Sequence, residues 1–165
     1  TGDMLLKKTC AITKTDTSHS LHDKLALLGS EALLETVDNL KQLTPEKQNN
    51  DNSNYAKKIQ KQEGIIDWQL PAETIDRMIR AFNPWPGTST QLDDQTLKIW
   101  QAEITDIQSK EQPGTIVQTD KSGIAIATGS SVLRITHCQL PGAKAMPAAD
   151  LLNAKNALFT VGKQL

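Results

Sequence analysis

The sequence predicts an α+β fold in which a small antiparallel β-barrel with flanking helices follows a strand-helix segment. Between residues 88 and 138 the apolar positions recur with a period of two, the alternation of a strand whose side chains point to opposite faces. Turn residues cut that stretch into short pieces: Asp93-Asp94, Pro113-Gly114, Asp120-Lys121-Ser122-Gly123 and Gly129-Ser130-Ser131. Ahead of it, two apolar stripes repeat at helical spacing. Short, evenly spaced strands after helices favour an antiparallel barrel over a βαβ sheet.

Taken in order, residues 4–13 alternate weakly and contain Cys10 and Ile12, which suits a strand. Asp16-Thr17-Ser18 are good helix-cap residues. Leu21, Leu25, Leu28 and Ala32 then form a helical stripe that continues through Leu33, Val37 and Leu40. Gly29 could divide this run into two helices, since glycine costs about 1 kcal/mol against alanine inside one. One strand and one helical run cannot close a core, so this segment should expose apolar surface.

Pro45 and the run from Gln48 to Asn54 mark a boundary, because nothing apolar repays their ordering. Residues 55–62 could form a short helix with Lys57, Lys58 and Lys61 outward, after which Ile65, Ile66 and Trp68 anchor the chain. Pro71 suits the first turn of a helix. Ile75, Ile79 and Phe82 repeat at i, i+4 and i+7 on one face. That helix must stop near Asn83, because a following proline disfavours the α region. Pro84 and Pro86 stiffen a corner in which Trp85 is expected to fill a pocket. Strands are predicted at 88–92, 96–105, 115–119, 123–128 and 132–138; Pro141-Gly142 ends the last, and Pro147 opens a closing helix to about Asn156.

Composition narrows the function. The chain has 165 residues, 38% of them hydrophobic, enough for one ordinary domain or a small domain plus a remnant. No apolar run approaches the roughly 18 residues of a membrane span, and no signal peptide is visible. Two cysteines, Cys10 and Cys138, make no disulfide framework, so a reduced, cytoplasmic setting is the simpler expectation. A net charge of −1 does not announce a nucleic-acid binder. Local basic excesses at Lys57, Lys58 and Lys61, and at Lys155 and Lys163, read on charge alone as solvated surface.

No self-contained catalytic set emerges. His19 and His22 could share a helix face but lack a third metal ligand nearby. His137 and Cys138 are neighbours in a predicted strand, so their side chains should point to opposite faces. Trp68, Trp85 and Trp100 are expected as core or corner residues rather than stacking platforms.

The motifs do add up to a resemblance. Ile66-Asp67-Trp68, a helix, and then Arg80-Ala81-Phe82-Asn83-Pro84-Trp85-Pro86-Gly87 resemble the C-terminal domain of methionyl-tRNA formyltransferases. Thr1-Gly2-Asp3-Met4-Leu5 and Asp16-Thr17-Ser18 resemble the end of that family's N-terminal domain, and Tyr55-Ala56-Lys57-Lys58-Ile59 its linker. The run from Ala145 to Asn153 resembles its last helix. The resemblance implies an OB-like barrel preceded by a strand-helix remnant of an α/β formyltransferase domain. The implied divisions are 1–43 (remnant), 44–62 (linker with a short basic helix) and 63–165 (tRNA-binding barrel).

It also implies an activity: transfer of a formyl group from 10-formyltetrahydrofolate to the amino group of methionyl initiator tRNA, with no metal. The family's catalytic asparagine, histidine and aspartate fall upstream of Thr1, and Asp3 is not the catalytic acid. The chain is thus expected to be inert alone, to contain little of the folate site and to depend on an N-terminal catalytic half. By position, Lys58 and Lys61 match basic residues of the family's linker, and Lys155 falls in a basic position after Leu151-Leu152-Asn153. Lys57 departs from some members. The implied partner is initiator methionyl-tRNA; the leucine stripe of the remnant adds a capacity for self-association, and no membrane partner is expected from the apolar-run lengths. Two alternatives stand: a stand-alone RNA-binding adaptor, and a relative that formylates a sugar or nucleotide amine.

Overall fold

The computed structural model describes Gly2–Leu165; Thr1, the first residue of the Thr-Gly-Asp-Met motif, lies outside the described residues. The chain forms two compact units, one reaching to Lys58 and the other Ile59–Leu165.

The first unit is built on one helix, α1 (Ser18–Asp38). Thr17 caps it and pairs reciprocally with Ser20, each side-chain oxygen accepting the other's backbone N–H. Asp16 sits beneath this cap, nearly buried. It accepts the Thr13 backbone N–H at 2.7 Å, the Ser20 hydroxyl at 2.9 Å and the Lys24 ammonium at 2.7 Å. Gly29 does not divide the helix: it lies mid-helix, and the leucine-rich turns on both sides carry it through. No residue of α1 is buried, and Leu25, Leu27, Leu33, Leu34 and Val37 are all exposed. These side chains surround the helix, the pattern of an element meant to be covered on more than one side.

The strand expected at residues 4–13 is reduced to one bridge, in which Met4 and Glu46 exchange backbone hydrogen bonds at 2.7 and 2.9 Å. A strand exists only where a neighbour satisfies its N–H and C=O groups, and past Met4 none is alongside. The short helix expected over 55–62 is likewise one 3-10 turn, Lys61–Gly64, leaving 53–60 irregular. Tyr55 is 88% exposed, so no packed face repays the nucleation of a longer helix.

In the second unit the period-two reading holds nearly residue for residue. The strands are β1 (Thr88–Leu92), β2 (Gln95–Thr105), β3 (Ile116–Asp120), β4 (Gly123–Ala127), β5 (Val132–Gln139) and a two-residue β6 (Met146–Pro147). All pair antiparallel in the order β1-β2-β5-β4-β3, with β6 on β5. Asp93 turns the β1–β2 hairpin with φ of 52°, a left-handed conformation that aspartate tolerates. Helix α2 (Ala72–Ala81) buries Ala72, Ile75 and Ile79, and α3 (Ala148–Lys155) buries Ala148 and Leu151. Both helices join one core with Leu97, Ile99, Ile124, Ile126, Leu133, Ile135 and Phe159. Trp68 enters this core and donates its indole N–H to the Thr90 hydroxyl at 3.0 Å.

The barrel expected here is an open sheet, with β1 and β3 as its edges. Each edge is covered by a passing stretch of chain. Ile66 donates its N–H to the Ser89 carbonyl at 2.8 Å beside β1. The C-terminal tail covers β3: Ile116 donates to Lys163 O at 2.8 Å, and Gly162 donates back to Ile116 O at 2.8 Å. Covering both edges removes the unpaired ladder groups without closing the sheet.

Candidate nucleic-acid interface

The three lysines singled out from sequence occupy different elements. Lys58 ends the first unit, exposed on irregular backbone. Lys61, exposed, opens the 3-10 turn of the second unit. Gln60 and Glu63 cap that turn reciprocally, the Gln60 N–H donating to Glu63 Oε1 at 2.5 Å. Gly64 then passes so close to the corner after α2 that a methyl group there would strike the Gly87 carbonyl oxygen. The turn that Lys61 opens is thereby seated against that corner, on the β1 side of the sheet. Lys155 is the last residue of α3, where a cation also complements the helix dipole. Since α3 packs on β3, β4 and β5, Lys61 and Lys155 stand toward opposite ends of the strand order.

The corner itself departs from expectation. Phe82 ends α2, and both Asn83–Pro84 and Trp85–Pro86 are cis peptides. Gly87, with φ of 79°, donates its N–H to the Phe82 carbonyl at 2.9 Å and closes the loop. Trp85 does not fill a pocket: it is 53% exposed. Trp100 lies against the corner, half-buried, and Asn83 Nδ2 donates to the Trp100 carbonyl at 3.2 Å. The Trp100 indole N–H donates to Gln139 Oε1 at 2.9 Å, and the Lys98 ammonium sits 5.9 Å from its ring centroid. Local pattern signalled the rigidity of this corner through its prolines, but not which side of Trp85 would face water.

On the far side, a cavity of about 340 Å³ is lined by Thr119, Asp120, Lys121, Ala149, Leu152, Asn153 and Asn156. The Ser122 backbone N–H, 2.7 Å from Asp120, holds that carboxyl below its ordinary range. Lys155 lies between the two cavity asparagines, Asn153 and Asn156, in sequence. A second cavity of about 440 Å³ is lined by Thr96, Lys98, Gln139, Leu140, Pro141 and Gly142, and a third of about 340 Å³ underlies residues 107–111. None of the three presents an aromatic ring against which a pteridine could stack, so they do not fit a folate.

Groups capable of chemistry are unfavourably placed. Cys138 is fully buried, and burial pushes its thiol up to about 11, away from the reactive thiolate. His137 Nδ1 is buried without a hydrogen-bond partner. His19 lies 3.9 Å from Asp23, and among the described residues no three His, Cys, Asp or Glu side chains converge as metal ligands. No helix of the described residues is long and apolar enough to cross a membrane.

Comparison with known proteins places these features in a family. Residues 58–156 match the family described as "Formyl transferase, C-terminal domain". A methionyl-tRNA formyltransferase of Marinobacter nauticus is 45% identical over 167 residues, which cover 100% of this chain and 54% of that protein. The chain thus spans about half the length of that relative. Among solved structures, a HypX variant from Aquifex aeolicus superposes with a TM-score of 0.65 at 18% identity, over 92% of this chain and 28% of that one. HypX from the same organism in complex with tetrahydrofolic acid gives 0.56 at 21% identity, over 74% and 22%. At those identities the likeness concerns the fold alone. The match across 58–156 runs from the basic linker through the sheet to the end of α3, and the chain belongs to the formyl transferase C-terminal domain family.

Proposed function

We propose that this chain is the tRNA-gripping portion of a methionyl-tRNA formyltransferase. Such an enzyme moves a formyl group from 10-formyltetrahydrofolate to the amine of methionyl initiator tRNA. The observation that carries the reading is 45% identity to an enzyme of that name along the whole chain, remnant and linker included. Residues 1–43 are then the end of the catalytic domain, 44–62 the linker and 63–165 the tRNA-binding domain. Formyl transfer needs a deprotonated amine and donors aimed at the developing oxyanion. We assign that set and the folate pocket to the part of such an enzyme that this chain, covering 54% of its relative, does not span.

Lys58, Lys61 and Lys155 are assigned to tRNA phosphates. Each phosphate neutralised on duplex RNA releases counterions, giving a log–log salt slope near −0.9 per contact on the duplex scale. Two or three contacts give weak binding alone, and tethering to a second binding domain raises it through effective concentration. The exposed apolar girdle of α1 belongs against the rest of the catalytic domain; in the isolated chain it promotes self-association.

The test is binding of the chain to initiator tRNA at low and near-physiological salt, beside a Lys58→Ala/Lys61→Ala variant. Weak binding that falls with salt, and a shallower slope in the variant, are expected. No binding at low salt would place recognition elsewhere, leaving this half as a brace. An adaptor would show the same binding from a gene without the catalytic residues upstream. A relative acting on a sugar or nucleotide amine would keep full activity in the lysine variant.

A further inference from the structure

We propose that Trp85 is a stacking platform for an unpaired base of the bound RNA, beside the backbone phosphates assigned to Lys61; this rests on the RNA-binding reading above. Among the described residues, Trp85 is the only tryptophan with more than half its surface in water, since Trp68 is buried and Trp100 half-buried. A large ring left in water forgoes the transfer free energy of burial, part of which a stacked base would restore. The backbone that carries the ring is also restricted. Pro84 and Pro86 restrict the backbone on either side, and the Gly87 N–H, bonded to Phe82 O at 2.9 Å, closes the loop. Little flexibility remains to be lost when a base stacks, which is how a single ring can contribute usefully.

The surroundings favour nucleic acid over an apolar protein surface. The close approach of Gly64 to the Gly87 carbonyl brings the turn headed by Lys61 to this corner. On its other flank the corner rests on Trp100, whose ring carries the Lys98 ammonium at 5.9 Å. An exposed ring with cations on the segments packed against its loop is a combination by which single strands are held: charge follows the backbone and the π-face accepts a base of any sequence. A single strand engaging Lys61 has unstacked bases to offer Trp85, whereas a blunt duplex, with its bases stacked inside, engages the lysine alone.

The test uses the whole 165-residue chain, with initiator tRNA, a single-stranded oligoadenylate and a blunt RNA duplex of equal phosphate number as probes. Trp85→Leu keeps apolar bulk without an aromatic face, and Trp85→Phe keeps a smaller face. Trp85→Leu should weaken tRNA and oligoadenylate binding about tenfold, with the salt slope and duplex binding unchanged. Trp85→Phe should recover most of that loss. Oligoadenylate should quench indole fluorescence in the wild type, and Trp85→Phe should remove that quench. A common loss on all three probes, accompanied by a lower unfolding midpoint, would make Trp85 structural and overturn the proposal. Salt-sensitive RNA binding that Trp85→Leu leaves intact would overturn the platform while sparing the lysine reading, and would leave the corner to a protein contact. No RNA binding by the wild type would overturn both.

Discussion

Two helices of this chain invert the usual relation between length and burial. Helix α1 has 21 residues and buries none, whereas α2 has 10 residues and buries Ala72, Ile75 and Ile79. Leucine content is not what separates them, since α1 is the richer. The difference lies in where the apolar side chains point and what waits for them. In α2 they fall on one stripe opposite β2 and β5, while Glu73 and Arg77 face solvent. In α1 they surround the axis, and no layer of the described residues covers them. A packed helix therefore needs segregation of its apolar residues and a partner surface, and a capping box does not substitute for either.

The contrast between the units can be broken most sharply with a thiol reagent. Cys10 is exposed in the first unit and Cys138 is buried in the second, with burial raising its thiol to about 11. One equivalent should label quickly at neutral pH and the second only in denaturant; prompt labelling of both would show that the second unit opens readily. Next in size, Ile79→Ala should lower the stability of the second unit by about 2–4 kcal/mol in urea unfolding, because the cavity lies in the shared core. A change below about 0.5 kcal/mol would mean that α2 is not part of the cooperative unit.

A smaller effect concerns the cap of α1. The Lys24 ammonium, followed by hydrogen bonds from Thr13 and Ser20, holds the Asp16 carboxyl well below its ordinary value of 3.8. A depressed carboxyl stabilises the fold fully above its unfolded pKa and loses that contribution as pH falls toward the folded one. Helical signal from α1 should thus erode below about pH 4, and Asp16→Asn should show the eroded level already at neutral pH. A variant with unchanged helicity across that range would remove Asp16 from the account. The smallest intramolecular effect belongs to Leu34→Lys, within about 0.5 kcal/mol for the monomer because that side chain is 66% exposed. Its signature is in association: light scattering should show mass rising with concentration for the wild type and less so for the variant. A strictly monomeric wild type would dismiss the association.

How far the structure was legible varies along the chain. The strands between Thr88 and Gln139 were readable because the period-two alternation and the turn residues are local signals, and the observed pairings join segments that each carried them. Helix α2 was readable through Pro71, the isoleucine spacing and the prolines behind it. Lys58, Lys61 and Lys155 entered only through the family resemblance, since three exposed cations on a chain of net charge −1 carry no physical signature. The two-residue β6 was missed because nothing in Met146-Pro147 distinguishes a pairing segment from a loop.

By itself, then, the sequence determined the α+β class, the order of strands and helices along the second unit, and the family. Each of these rests on interactions spanning a few residues, or on motifs written directly in the chain. Tertiary structure decided the rest. It left 4–13 without a strand for want of a neighbour, and kept the sheet open by laying Ile66 and the C-terminal tail along its edges. It seated the Lys61 turn against Gly87, and it turned Trp85 toward water where local pattern predicted burial. The physical reason is common to all four. Backbone pairing and side-chain exposure depend on which distant segment arrives alongside, and no window of neighbouring residues contains that information.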